Sequence, residues 1–418
     1  MTIYLQKFKV IYPGHEFNNK TLDFIIKNGK FVEIGKNLNP KKYSQIFTKG
    51  CISPGWVDTG THLTAPGFEF RDTLTSLLDT AAAGGFTDII TLPNTQPTID
   101  NAASLSSVLS QSNSHLVSIH ALASITQSAL GDHLTEMHDL KSAGAVGYTD
   151  GTQSISDEGN LYRALQYAKA LKTVIINQPR VKSLSKDWQM NEGDVNITLG
   201  LTGQATIVED IGVNRDISVN QYAQGKLLLH KLSSPKSVKV AQSSKTDSRV
   251  FTSVNYLHLV KNDESLVTFD TNFKVDPPLR STKDQNQLIK LFSKEKIDII
   301  CSDHQPLDQE VKLVEFDKAD FGVTGLQTMY PAMNTYINGL DLQTFVKCIA
   351  INPREIFNLS LPSLQVGADA RVTIFDPKQS FTLNEESNKS KSKNSPFWGV
   401  DLKGKILGTF ANRQFYSN

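Results

Sequence analysis

Eight short apolar runs, each followed by a longer stretch of mixed polarity, constrain this chain more than any other feature. They fall at 55–58, 88–92, 117–121, 145–148, 173–177, 227–230, 249–254 and 298–302. Runs of four to six residues are too short for helices, and where helical patterns separate them a parallel sheet of βα units is the expected arrangement. Helices are legible at 73–83, which ends on Gly84-Gly85, and at 160–171, where Leu161, Ala164, Leu165 and Ala168 share a face. Eight such units predict an α/β fold built on a (β/α)8 TIM-type barrel, with its site at the C-terminal ends of the strands. An open doubly wound sheet is the competitor, but no glycine-rich phosphate loop follows the first strand.

The two ends of the chain have a different grain. Alternating runs at 2–5, 7–11, 22–26 and 31–34 read as an antiparallel sheet, with Asn28-Gly29 as a tight hairpin turn. Runs at 370–375, 404–410 and 414–416 repeat the style. The expected organisation is a small β-sandwich domain from residues 1–53 and 365–418 around a barrel at 54–364. Residues 179–225 form an unusually long link without clear period, and the Asn-, Ser- and Lys-rich stretch 383–397 reads as a solvated loop. With 43 basic and 42 acidic residues, the net charge of +1 gives no electrostatic ground for a nucleic-acid or membrane partner. Cys51, Cys301 and Cys348 form no paired framework and no CxxC pattern, which fits a reducing compartment. Residues 1–12 lack the apolar run of a signal peptide, so a cytoplasmic protein is expected.

Polar residues at the predicted strand ends are the candidate site. His62 follows strand one, Asn94 strand two, Asp150 strand four, Gln178 strand five, His230 strand six, and Asp303 with His304 strand eight. Residues i and i+2 of a strand face the same side, so the place for a second histidine beside His62 is position 60, which is glycine. Singly, a histidine in such a place is a hydrogen-bonded structural residue and an aspartate a helix cap. Jointly, imidazole and carboxylate at one mouth suit Zn²⁺. His258 near strand seven could line the same pocket or be structural, and His304 could brace the strand-eight loop. His120 reads as a packed, hydrogen-bonded core residue, and His15, His115, His133 and His138 as peripheral.

Several motifs then carry a resemblance. Pro54-Gly55-Trp56-Val57-Asp58, His62-Leu63, Pro66-Gly67-Phe68-Glu69, Leu92-Pro93-Asn94-Thr95-Gln96-Pro97, Val275-Asp276-Pro277-Pro278-Leu279-Arg280, Ser302-Asp303-His304 and Ile351-Asn352-Pro353 closely resemble dihydroorotases of the amidohydrolase superfamily. The resemblance spans nearly the whole chain. It implies a metal-dependent barrel that interconverts carbamoyl aspartate and dihydroorotate in pyrimidine synthesis. Carried over residue by residue, it places metal ligands at His62, Asp150, His230 and Asp303, with Asp303 also the general base, and substrate contacts at Asn94 and His258. It also implies losses: Gly60 and Gln178 stand where the family has metal-binding histidines, Thr64 where it has a carboxylate-gripping arginine, and Leu307 where it has a further histidine. A hydroxyl and an alkyl group cannot make the charge-assisted bonds of guanidinium and imidazole. Two expectations follow from the resemblance. One is a non-catalytic homologue, dimeric, that partners aspartate carbamoyltransferase and holds no zinc. The other is a cyclic amide hydrolase with Zn²⁺ in a residual mononuclear site, either a weak dihydroorotase or a hydantoinase- or allantoinase-like enzyme.

Overall fold

The computed structural model of the protein describes residues 1–40, 42–111, 114–245 and 249–418. The eight predicted runs form strands at Trp56–Thr61, Phe86–Thr91, Ser118–Ala121, Gly147–Tyr148, Val174–Asn177, Lys226–Leu229, Arg249–Asn255 and Ile299–Cys301. Strands one to three pair in parallel, as do strands four to eight. A parallel bridge between Ala123 and Tyr148 joins the two sets. Strand eight closes on strand one mainly through a side chain. The Asp58 carboxylate accepts from Ser302 N at 2.7 Å, Ser302 Oγ at 2.8 Å and Thr61 Oγ1 at 2.6 Å, while His62 N donates to His304 O at 3.0 Å. A buried carboxylate without such donors would be costly, so Asp58 is a structural latch.

Alternation along the strands sorts the apolar residues. Val57, Ile90, Leu122, Val174, Ile176, Leu228 and Ile299 fill the barrel interior. The neighbouring Trp56 faces outward against Phe86, Tyr330, Phe345 and Phe375, an aromatic cluster that ties the barrel to the β domain. The first helix is Leu74–Ala83, with Thr73 capping Ser76 N and Gly84 ending it, and the predicted 160–171 helix is Glu158–Ala170, started by an Asp157 cap.

Both chain ends join one seven-stranded sheet in the order Gln414–Ser417, Asp401–Ala411, Val372–Thr382, Gln45–Pro54, Thr2–Val10, Thr21–Lys27, Lys30–Gly35. Asn28 and Gly29 turn the hairpin with φ of 51° and 75°. One expectation needs correction: the sheet is mixed, because Thr2–Val10 pairs in parallel with Gln45–Pro54. That strand runs on through Gly55 into barrel strand one, so the barrel sets its direction.

A second correction concerns 383–397. Ser390, Ser392, Asn394 and Ser395 are buried, and Phe397 is fully so. This polar strap crosses from the β domain to the barrel rim. Ser390 Oγ donates to Asp72 Oδ2 at 2.7 Å, Ser392 Oγ to Arg71 O at 2.8 Å, and Asn394 Nδ2 to Gln305 O at 3.0 Å. Its composition reflects buried hydrogen bonding, which composition alone does not distinguish from solvation. The long 179–225 link holds a short parallel ladder, Met190–Asn191 with Gly203–Gln204, and the helix Ile207–Ala223. Buried Arg280 anchors it, donating from Nε to Ser233 Oγ and from Nη1 to Asn191 Oδ1, both at 2.9 Å. Among the described residues no helix is long and apolar enough to cross a membrane.

Candidate functional site

The strand ends deliver His62, His230 and Asp303 to one mouth, together with a residue the sequence reading passed over. Lys231 has a φ of 54° and Asp303 a φ of 48°, two left-handed positions that turn their side chains toward each other across strands six and eight. Lys231 Nζ lies 3.0 Å from Asp303 Oδ1, and each side chain is only 4% exposed. Asn255 Nδ2 donates to Asp303 Oδ2 at 3.1 Å, and His62 Nε2 stands 3.8 Å from Oδ1. Burial alone would raise the Asp303 pKa; the Lys231 ammonium and the His62 ring outweigh it and hold the carboxyl well below its ordinary range. The pair is therefore an ammonium and a carboxylate in contact. The only sequence signal for it was a basic residue beside His230 at the end of an apolar strand.

His230 is a neutral ring. Its Nδ1 bonds Ser253 Oγ at 2.7 Å, and burial together with the Lys231 charge pushes its pKa down to about 3. Nε2 of His230 and Nε2 of His62 have no hydrogen-bond partner. The ring also occupies the space beside Gly60, where a Cβ would lie 2.5 Å from His230 Nε2. A side chain at 60 is thus excluded sterically, and again by the φ of 89°.

Asp150 does not face this group. Its Oδ1 accepts from Ser124 Oγ at 2.7 Å and from the backbone N–H groups of Ile125 and Thr126 at 2.9 Å, and its Oδ2 accepts from Thr126 Oγ1 at 2.6 Å. Three of the four donors converge on Oδ1 and one on Oδ2, which fixes the carboxylate on this loop. Asp150 holds the 124–126 loop. Asn94 is similarly engaged, donating to Asp150 O at 3.1 Å and accepting from Thr152 N at 3.2 Å. Gln178 Nε2 reaches Asp276 Oδ1 at 3.3 Å, and the same carboxylate is paired with Arg180. Thr64 donates to Asp72 O at 2.7 Å, and Leu307 is buried with its N–H on Asn394 Oδ1. His258 Nε2 donates to Pro278 O at 3.2 Å, and burial lowers its pKa to about 4. His304 Nδ1 accepts from Gly325 N at 3.2 Å, a bracing role. His120 is hydrogen-bonded, as expected, to Asp88 Oδ1 at 2.8 Å, though it is half-buried rather than in the core. The opening itself is small, about 130 Å³, lined by His62, Thr64, Phe68, Arg71, Asn94 and Gln305 among others.

These residues do not fit a zinc centre. No group of three or more His, Cys, Asp or Glu side chains among the described residues is placed to hold a metal ion. The set His62, Asp150, His230 and Asp303 fails because the Asp150 carboxylate is fixed on the 124–126 loop, and because an ammonium already contacts Asp303 where a cation would be held. Amines bind Zn²⁺ only when deprotonated, so an ammonium repels the ion.

The barrel with its joined-ends β domain is a fold shared with solved hydantoinases. It superposes on the L-hydantoinase of Arthrobacter aurescens with a TM-score of 0.86 at 21% identity, covering 100% of this chain and 96% of that one. For the dihydropyrimidinase of Brevibacillus agri the TM-score is 0.79 at 17% identity, over 100% and 95% of the two chains. Sequence places it more closely. Residues 50–236 match the Dihydro-orotase-like family model. The chain is 33% identical over 416 residues to a dihydroorotase of Syntrophus aciditrophicus, covering 98% of this chain and 97% of that protein, and 34% identical over 406 residues to one of Aquifex aeolicus, covering 96% and 95%. The protein belongs to the dihydroorotase family of the amidohydrolase superfamily.

Proposed function

We propose that this chain is a non-catalytic member of the dihydroorotase family, acting in pyrimidine synthesis as a structural or regulatory partner of aspartate carbamoyltransferase. One observation carries the non-catalytic half: the Lys231 ammonium lies on Asp303 inside the mouth. Opening a cyclic amide needs a free carboxylate to accept the proton of an attacking water. An Asp303 held ionised by a contacting cation is a weak base, and that removes the driving force for the proton transfer. Thr64 and Leu307 offer no cation to position a substrate carboxylate, an independent loss. Kinship supports the partner half, since non-catalytic members of this family serve carbamoyltransferases as structural partners.

The test mixes the purified protein with the cognate carbamoyltransferase and measures mass by light scattering and carbamoyl transfer by rate. A defined complex with altered carbamoyltransferase activity is expected. No complex and no change in rate would sink the partner reading. The same mass measurement on the chain alone checks the homodimer that this reading includes.

A further inference from the structure

The face of the barrel opposite the mouth holds a cavity of about 470 Å³ lined by Lys169, Lys172, Thr173, Gln224, Lys226, Arg249 and Asn358. The strands explain how these residues meet. Thr173 precedes strand five, Lys226 opens strand six and Arg249 opens strand seven, so parallel neighbours present their N-terminal ends side by side. Lys169 and Lys172 come from the end of helix Glu158–Ala170 and the turn after it.

Four cations therefore surround one cavity, and among the described residues none of them has a carboxylate within ion-pairing distance. The floor is the informative part. Lys226 is 8% exposed, and its ammonium is held by two neutral acceptors, Ile356 O at 2.8 Å and Asn358 Oδ1 at 3.4 Å. Burial and the charge of Arg249 both lower its pKa, opposed only by the field of Glu355, which lies outside the lining. Other buried cations rest on carboxylates, as Lys231 on Asp303 and Arg354 on Asp88, or on backbone carbonyls, as Lys274 and Lys312; Lys226 differs in sharing its cavity with three further cations. Lysines at a helix C-terminus complement its dipole, which accounts for Lys169 and Lys172 but not for Lys226 or Arg249. Like charges gathered around a partly desolvated cavity raise the free energy of the empty site, and an anion relieves them.

We infer that this cavity is a binding site for a phosphate-bearing small molecule with more than one phosphate group. The guanidinium of Arg249 suits bidentate contact with one phosphate, the ammonium groups serve the rest as point charges, and Thr173, Gln224 and Asn358 provide polar walls. The site lies at the opposite end of the barrel from Lys231 and Asp303, and does not depend on whether the mouth is catalytic.

The test titrates the full chain at fixed ionic strength with inorganic phosphate, pyrophosphate, tripolyphosphate and a nucleoside triphosphate, read by calorimetry and thermal shift. Saturable one-to-one binding is expected, tightening from phosphate to tripolyphosphate and weakening with added salt. A nucleotide that binds more tightly than tripolyphosphate assigns the site to nucleotides, and equal affinities assign it to the polyphosphate group. Arg249→Gln and Lys172→Gln, both exposed positions, should each weaken binding about tenfold, the scale of one lost charge-assisted contact. Arg71→Gln, which removes a half-buried cation at the mouth, should leave affinity unchanged. No saturable binding of any probe, or binding that ignores Arg249→Gln but is lost in Arg71→Gln, overturns the inference.

Discussion

Replacing Lys231 by methionine keeps an unbranched side chain, one atom shorter, and removes its charge. Asp303 is then left 4% exposed with one direct hydrogen bond, from Asn255 Nδ2 at 3.1 Å, and a histidine 3.8 Å away. Removing one partner of a buried pair costs about 3–5 kcal/mol, because the other charge stays desolvated. The reverse deletion, Asp303→Asn, strands the ammonium at comparable cost while preserving a side chain that tolerates the φ of 48°. The double variant strands neither charge, so its loss should fall short of the sum by about 2–3 kcal/mol. Guanidinium unfolding of the four proteins of this cycle at neutral pH measures that coupling. The single Lys231→Met loss should also shrink on acidification, because an unpaired buried Asp303 takes up a proton that the native pair refuses. Additive losses, with coupling below about 0.5 kcal/mol, would refute the claim that the ammonium and carboxylate form a working pair.

Other outcomes are equally specific. Gly60→His should not restore a metal pair; the φ of 89° and the His230 ring should instead destabilise the variant by about 1–3 kcal/mol, and Gly60→Ala/His230→Ala should recover the steric part of the smaller Gly60→Ala loss, read by thermal melting. Asp150→Ala leaves four donors of the 124–126 loop without an acceptor and should cost about 3 kcal/mol or more by denaturant unfolding, whereas Asp150→Asn keeps an acceptor and should cost less. Burial would raise the Asp88 pKa, but His120, Arg354 and Arg371 hold it well below the ordinary carboxylate range. Its stabilisation is therefore complete above the unfolded-state value of about 3.9 and lost as pH falls below it, so the wild type should lose stability more steeply in acid than Arg371→Met; parallel curves contradict this. Asn394→Ala should raise hydrogen exchange at Gln305, Leu307 and Gly322, because the strap loses its bonds to that loop.

The barrel was legible because each strand is a short apolar run between helix signals, and the joined ends because both carry period-two alternation. Asp58 closing the barrel could not be read, since a latch between residues 58 and 302 has no local pattern. The strap at 383–397 looked like a solvated loop because serine and asparagine serve buried backbone and water equally well. At the site, Gly60, Thr64, Gln178 and Leu307 were singled out by the family resemblance, and in the structure Thr64 and Gln178 hydrogen-bond to protein groups while Leu307 is buried. Asp150 and His230 were placed by their position after a strand, which does not fix where a side chain points. A left-handed backbone at Lys231 decided that, and only Gly and Asn carry a strong sequence bias toward that conformation.

The central claim is that the dihydroorotase mouth of this protein holds an internal cation and performs no hydrolysis. It is tested most directly by assaying the purified full chain, incubated with excess zinc, for dihydroorotate hydrolysis and carbamoyl aspartate cyclisation, with metal content measured on the same sample. Substoichiometric zinc and no turnover above that of a His62→Ala control is the predicted result. Stoichiometric zinc with turnover that the His62→Ala change abolishes would contradict it.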